Sequence, residues 1–95
     1  MKLSYSVESI SDLARLREFI ATHNPSAAQR IALEIKTAIK QLKQFPEIGL
    51  PVHRSTDPEM IRDLYIGKYL VRYLISNKHV FILRVWHGKE EGKDL

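Results

Sequence analysis

Cysteine is absent from the 95 residues, so no disulfide framework can hold the chain, which fits a reducing compartment such as the cytoplasm. The N-terminus alternates polar and apolar residues and carries no long apolar run, so neither a signal peptide nor a membrane span is expected. The four glycines stand apart, so no glycine-rich loop is available to cradle a phosphate. His23, His53, His79 and His87 are scattered without paired ligand spacing, so neither a metal site nor a cofactor is expected. Nothing singles out one serine beside a histidine, and no nucleophile triad can be read. These absences exclude several large enzyme classes.

What is present is the composition of an ordinary globular chain, 44% hydrophobic and 27% charged. That balance argues for order and for one domain over residues 1–95 with a single small core. The net charge of +4 suits an acidic partner, either nucleic acid or an acidic protein, although many small proteins are mildly basic for solubility alone.

Lys2 to Val7 alternates, with Leu3, Tyr5 and Val7 on one face, as a half-buried strand does. Ser9 and Asp12 have the spacing of a capping box, and Leu13, Leu16 and Ile20 follow at helical spacing. Asn24-Pro25 stops this helix and starts another, with proline at the first helical position. Ala28, Ile31, Ile35, Ile39 and Leu42 form the apolar stripe of that second helix. Residues 44–58 read as a loop. Three β segments follow, 60–66, 69–75 and 80–87, broken at Gly67-Lys68 and at Ser76-Asn77-Lys78, where Asn77 suits a tight turn. Gly88 onward is a polar tail.

Short turns force antiparallel pairing, so the last three strands form a meander. The helical hairpin must cover one face of the sheet to bury its stripe, which predicts a two-layer α+β domain of order β-α-α-β-β-β. The first strand is expected at an edge or beside the last strand.

The chemistry is concentrated on that sheet. Strand alternation puts Val80, Ile82, Arg84 and Trp86 on one face, and Phe81, Leu83, Val85 and His87 on the other. Arg62, Arg72 and Arg84 each interrupt an apolar strand and require a carboxylate, a phosphate or water, with Asp63 the nearest candidate in sequence. The commoner role of such arginines is an ion pair within the fold, and that of Trp86 is packing. His87 follows the apolar run and precedes Gly88, and with Lys89 nearby it could serve as a general acid or base.

Four stretches taken together, DLARLREFIATHNPSAAQRI, LKQFPEIGLP, IRDLYIGKYLVRYLI and VFILRVWHGK, resemble the RelE/ParE toxin superfamily in order and spacing. The resemblance implies the toxin of a type II toxin–antitoxin system, associated with growth inhibition and plasmid stabilisation, and a cognate antitoxin that wraps the toxin. The antitoxin is then expected to lay a helix on the hairpin around Leu16, Ile20 and Ile35, and an extended segment on the sheet near Tyr73.

The superfamily divides by mechanism. RelE-like members resemble ribosome-dependent endoribonucleases that cut mRNA with basic residues on the sheet, whereas ParE-like members are associated with DNA gyrase. On the ribonuclease pattern an arginine follows the tyrosine that begins a strand, and here that position is Leu70. Paired lysines of the preceding strand fall near Ile61 and Asp63, and a later arginine falls near Gly88 and Lys89. The ParE-like reading therefore implies gyrase binding without intrinsic catalysis. The alternative uses His87 and Arg84 as catalytic groups, with Arg62, Arg72, Trp86 and Lys89 holding the target or its phosphates.

Overall fold

The computed structural model describes residues 1–88. The predicted polar tail, Lys89 included, lies outside the described residues except for Gly88. Strand β1 (Lys2–Tyr5) leads into helix α1 (Val7–His23) and helix α2 (Pro25–Gln41). A two-residue strand β2 (Leu50–Pro51), then β3 (Ile61–Ile66), β4 (Tyr69–Ser76) and β5 (His79–His87) complete the chain. The five strands form one sheet in the order β1-β5-β4-β3-β2, antiparallel throughout except where β1 runs parallel to β5. The expected α+β architecture of two helices on a mainly antiparallel sheet is thus the observed one, with β1 both at an edge and beside the last strand.

Helix α1 begins earlier than its capping pattern suggested. Ser6, not Ser9, is the N-cap: its Oγ accepts from the Ser9 N–H at 2.9 Å and donates to the Leu83 carbonyl at 2.8 Å. One hydroxyl therefore starts the helix and fastens it to β5. Ser9 Oγ reaches back to the Ser6 carbonyl, which satisfies a fully buried side chain. The Asn24 N–H closes α1 on the Ile20 carbonyl, and Pro25 opens α2 where a missing N–H costs nothing.

Leu16, Ile35 and Ile39 from the helices, and Leu42 at the C-cap of α2, meet Val71, Tyr73, Val80, Ile82 and Val85 from the sheet in one core. The β4–β5 turn holds Asn77 and Lys78 both at positive φ (49° and 60°), the backbone that matches a two-residue hairpin loop to strand twist.

Two features depart from simple alternation. Residues 50–51 add a fifth strand to the segment expected to be loop, pairing Leu50 with Asp63 and Pro51 with Arg62. On β5, Arg84 pairs with Arg72 but Ile82 pairs with Tyr73, so Leu83 is an extra residue and forms a bulge. The bulge exchanges the two faces. Val80 and Ile82 point to the helices before it and Val85 after it, while Arg84 and Trp86 join the opposite face. The expectation that Val80, Ile82, Arg84 and Trp86 share a face fails for this reason.

Candidate functional site

The sheet face turned away from the helices carries most of the polar side chains singled out in the sequence. Register places Asp63 opposite Arg72 and Arg72 opposite Arg84, a row across β3, β4 and β5. Arg72 binds Asp63 in a two-pronged pair, Nε to Oδ1 at 2.8 Å and Nη2 to Oδ2 at 3.0 Å. This hydrogen bonding holds the guanidinium pKa above its usual value against the opposing effect of burial.

Arg84 reaches past the point where β1 ends and binds Asp12 of α1 at 2.8 and 3.1 Å. Asp12 also accepts the Val85 N–H at 2.9 Å and an Arg15 contact at 3.2 Å. Burial alone would raise the Asp12 pKa, but Arg84, the Val85 N–H and the Arg15 charge together lower it. The carboxylate is therefore a charged pin between helix and sheet.

Both guanidiniums lie over the Trp86 ring, with Arg72 Cζ at 5.1 Å and Arg84 Cζ at 5.2 Å from its centre. Both distances are cation–π contacts. The indole is 2% exposed, so the side chain expected to meet a target is an interior group of this chain.

Arg62 lies on the other face and has a different task. Its Nη1 donates to the carbonyls of Gly49 (2.9 Å) and Glu47 (3.3 Å), and its Nε to that of Glu59 (3.1 Å). Beside it, the Tyr73 hydroxyl donates to the Pro46 carbonyl at 2.6 Å and accepts the Gly49 N–H at 2.9 Å. Burial raises the Tyr73 pKa, so the phenol stays a donor. Together these two residues clamp the backbone of residues 46–49.

His87 is half-buried on the helix side of β5, edge-on to Tyr69 with ring centres 5.2 Å apart. It borders a cavity shared with Arg30, Glu34 and Lys68. Arg84 and His87 therefore occupy opposite faces, and the structure does not bring this pair together. Leu70 sits opposite Trp86 at 5% exposure. The position at which the ribonuclease pattern has an arginine is thus occupied by a packed aliphatic group.

The residues expected to meet an antitoxin are interior as well. Leu16, Ile20 and Ile35 are buried beneath the hairpin, where they border a small cavity, and Tyr73 is in the core. An amphipathic stripe marks the face that packs within the fold. The available surface is a groove above it, lined by Arg17, Ala21, Ala28, Gln29, Leu33 and Lys36, where small alanines keep the two helices' surface low.

Among the described residues no group of three His, Asp or Glu side chains could hold a metal ion. No described helix is long and apolar enough to cross a membrane. Asp12 is the central residue that sequence reasoning missed, since 72 positions separate it from Arg84. An acidic residue in line with the apolar stripe of α1 was the available signal.

Comparison with known proteins agrees with this geometry. Residues 3–92 match the family model of the ParE toxin of type II toxin–antitoxin system, parDE. Toxin RelE2 of Caulobacter vibrioides is 33% identical over 80 residues, covering 84% of this chain and 86% of that protein. Toxin RelE1 of the same organism is 29% identical over 90 residues, covering 90% and 91%. Among solved structures, the chromosomal ParDE toxin–antitoxin system from P. aeruginosa superimposes with a TM-score of 0.76 at 21% identity, covering 92% of this chain and 95% of that one. A conserved hypothetical protein from Helicobacter pylori gives 0.57 at 19% identity, covering 95% and 97%. The chain belongs to the ParE toxin family within the RelE/ParE superfamily, and is the toxin component of a type II toxin–antitoxin system that implies a cognate antitoxin as its partner.

Proposed function

We propose that this toxin arrests growth by binding DNA gyrase in the cytoplasm, with no cleavage chemistry of its own. The observation that supports this reading is the engagement of the strand arginines. Arg72 is held by Asp63, Arg84 by Asp12, and Arg62 by main-chain carbonyls. A ribonuclease of this fold would need cations aimed at a developing phosphorane charge. Losing one such donor typically costs about 2.7–4 kcal/mol of transition-state stabilisation. Here Leu70 replaces one, and two others are matched by buried carboxylates.

The antitoxin reading shifts with the structure. The groove between α1 and α2 suits an amphipathic helix, with Leu33, 66% exposed, on its lip and Arg17 and Lys36 as cations at its rim. Acidic antitoxin residues would meet those cations and speed association.

The name shared by the two Caulobacter relatives keeps the ribosome-dependent ribonuclease as the second reading. Induction of the chain and of its His87→Ala variant in cells, with plasmid supercoiling and primer extension read in parallel, separates the two. The gyrase reading expects both proteins to arrest growth and relax plasmid DNA while mRNA stays intact. Codon-linked mRNA breaks that vanish in the His87→Ala variant would overturn it. Arg84→Ala is the weaker test, because it leaves the buried Asp12 carboxylate without its main partner.

A further inference from the structure

The face of the sheet turned away from the helices carries an apolar row where polar side chains are the rule. A sheet with one face packed and one face turned to water ordinarily alternates apolar and polar residues. Here Phe81 stands opposite Leu74, and Leu74 opposite Ile61. Val52 extends the row, its N–H bonded to the Ile61 carbonyl at 2.9 Å. All four are half-buried, and none belongs to the core beneath the helices. At the other end Ser4 stands opposite Phe81. Its Oγ lies 2.6 Å from His79 Nε2, and the His79 ring stacks on Phe81 with centres 4.1 Å apart. The polar groups at this end are thus matched to each other, and covering them leaves that bond intact.

Charge sets this row apart from the surfaces around it. No Lys, Arg, Asp or Glu stands in it, and the two arginines above it are held by Asp63 and Asp12. The hairpin groove is rimmed by Arg17 and Lys36. A cavity of about 540 Å³ beyond Val52 is lined by Arg54 and Lys68. Two chains of net charge +4 repel where such cations meet, so the row is where a second copy meets least repulsion.

We infer that the row is a contact surface between two copies of this toxin, packed sheet on sheet about a two-fold axis at Leu74. Sheets pack face to face through apolar rows of this kind, and identical chains meet most simply in a self-matching two-fold contact. An extended peptide pairs with the edge of a sheet and not with its face, and a helix finds its seat in the hairpin groove on the other layer. Leu74 is central among the five positions, so it meets its own counterpart. The row is small beside the ~20–30 residues a side of a standard interface, so the dimer forms reversibly with concentration. The inference stands independently of the gyrase reading.

Analytical ultracentrifugation of the full wild-type chain from ~10 μM to ~1 mM tests this. A monomer–dimer equilibrium is expected, and NMR shift changes on dilution should centre on Val52, Ile61, Leu74 and Phe81. Leu74→Lys and Leu74→Glu should each weaken the dimer more than about tenfold, since like charges then meet at the axis. Mixed in equal amounts, the two variants should pair with each other. Val7→Asp, at an exposed apolar position of α1 outside the row, should leave the equilibrium within about twofold. Circular dichroism shows which variants are folded, and the wild-type dilution series decides the question even where one is not. A toxin that stays monomeric at the highest concentration overturns the proposal. So do dilution shifts confined to another surface, a dimer untouched by the Leu74 changes, or folded variants that fail to pair. A monomeric toxin whose Leu74 variants lose affinity for the antitoxin would assign the row to the antitoxin, which also overturns it.

Discussion

Asp12 shows how a single carboxylate sets the relation between helix and sheet. It is buried, negatively charged and surrounded by Arg84, Arg15 and the Val85 N–H. Removing one partner of a buried pair leaves the other uncompensated, so Asp12→Asn should destabilise the fold by about 3 kcal/mol, read by urea denaturation. The pH dependence follows in sign. A carboxyl lowered in the folded state adds stability that is complete above the unfolded value of ~3.9 and is lost as pH falls through the lowered folded value. Asp12→Asn should therefore flatten the acid limb of the stability curve below about pH 5, while wild type declines.

Tyr73 is the second residue of this kind. Its hydroxyl satisfies both the Pro46 carbonyl and the Gly49 N–H, and a Cβ at Gly49 would sit 2.6 Å from it and 2.9 Å from the Asp63 carbonyl. Tyr73→Phe leaves the buried Gly49 N–H and the half-buried Pro46 carbonyl without this partner and should cost about 1–3 kcal/mol. Gly49→Ala should cost a similar amount through overpacking, and Tyr73→Phe should not rescue it, because the clash with backbone remains. Thermal unfolding of the two single variants and the double variant checks this.

At the scale of elements, the parts visible in sequence are those with a local signature. The Ala28–Leu42 stripe has a 3.6-residue period that only an amphipathic helix explains, and Asn77 announces its turn by chemistry. What escaped has no local signature. Strand β2 is two residues long and contains Pro51, which reads as loop. The Leu83 bulge carries no glycine, yet it decides which face Arg84 and Trp86 take. Arg72 was legible because Asp63 is close in sequence, whereas Arg84 was not, since its partner lies on another element. Trp86, expected on a face with Val80 and Ile82 and assigned to a target, is instead an interior group beneath two guanidiniums, because the bulge that turns it to the opposite face has no signal in the strand pattern.

The turn itself offers a test at this scale. Lys78 sits at φ 60°, where an L side chain costs ~1–2 kcal/mol and glycine does not. Part of that gain is offset by the greater freedom glycine brings to the unfolded chain. Lys78→Gly should therefore raise stability by about 0.5–1 kcal/mol and increase the thermal midpoint, with the registers of β4 and β5 unchanged by NMR.

For the whole molecule, two surfaces stand apart, the groove of the hairpin and the sheet face turned away from the helices. The helical hairpin offers the groove with Leu33 at its lip, and the opposite sheet face holds its cations in matched pairs beside a basic cavity. A toxin that must be held by one partner and act on another needs two such surfaces. Leu33→Asp should weaken antitoxin binding about tenfold or more, as loss of a central anchor does, while leaving growth arrest intact. Calorimetry against the antitoxin, with growth curves alongside, checks that separation.

The central claim is that the toxin acts by engaging gyrase, not by catalysis. Titration of purified toxin into a gyrase supercoiling reaction tests it most directly. Dose-dependent loss of supercoiling is expected, with or without trapped cleaved DNA, retained in His87→Ala and reversed by antitoxin. Full supercoiling activity at excess folded toxin would contradict it.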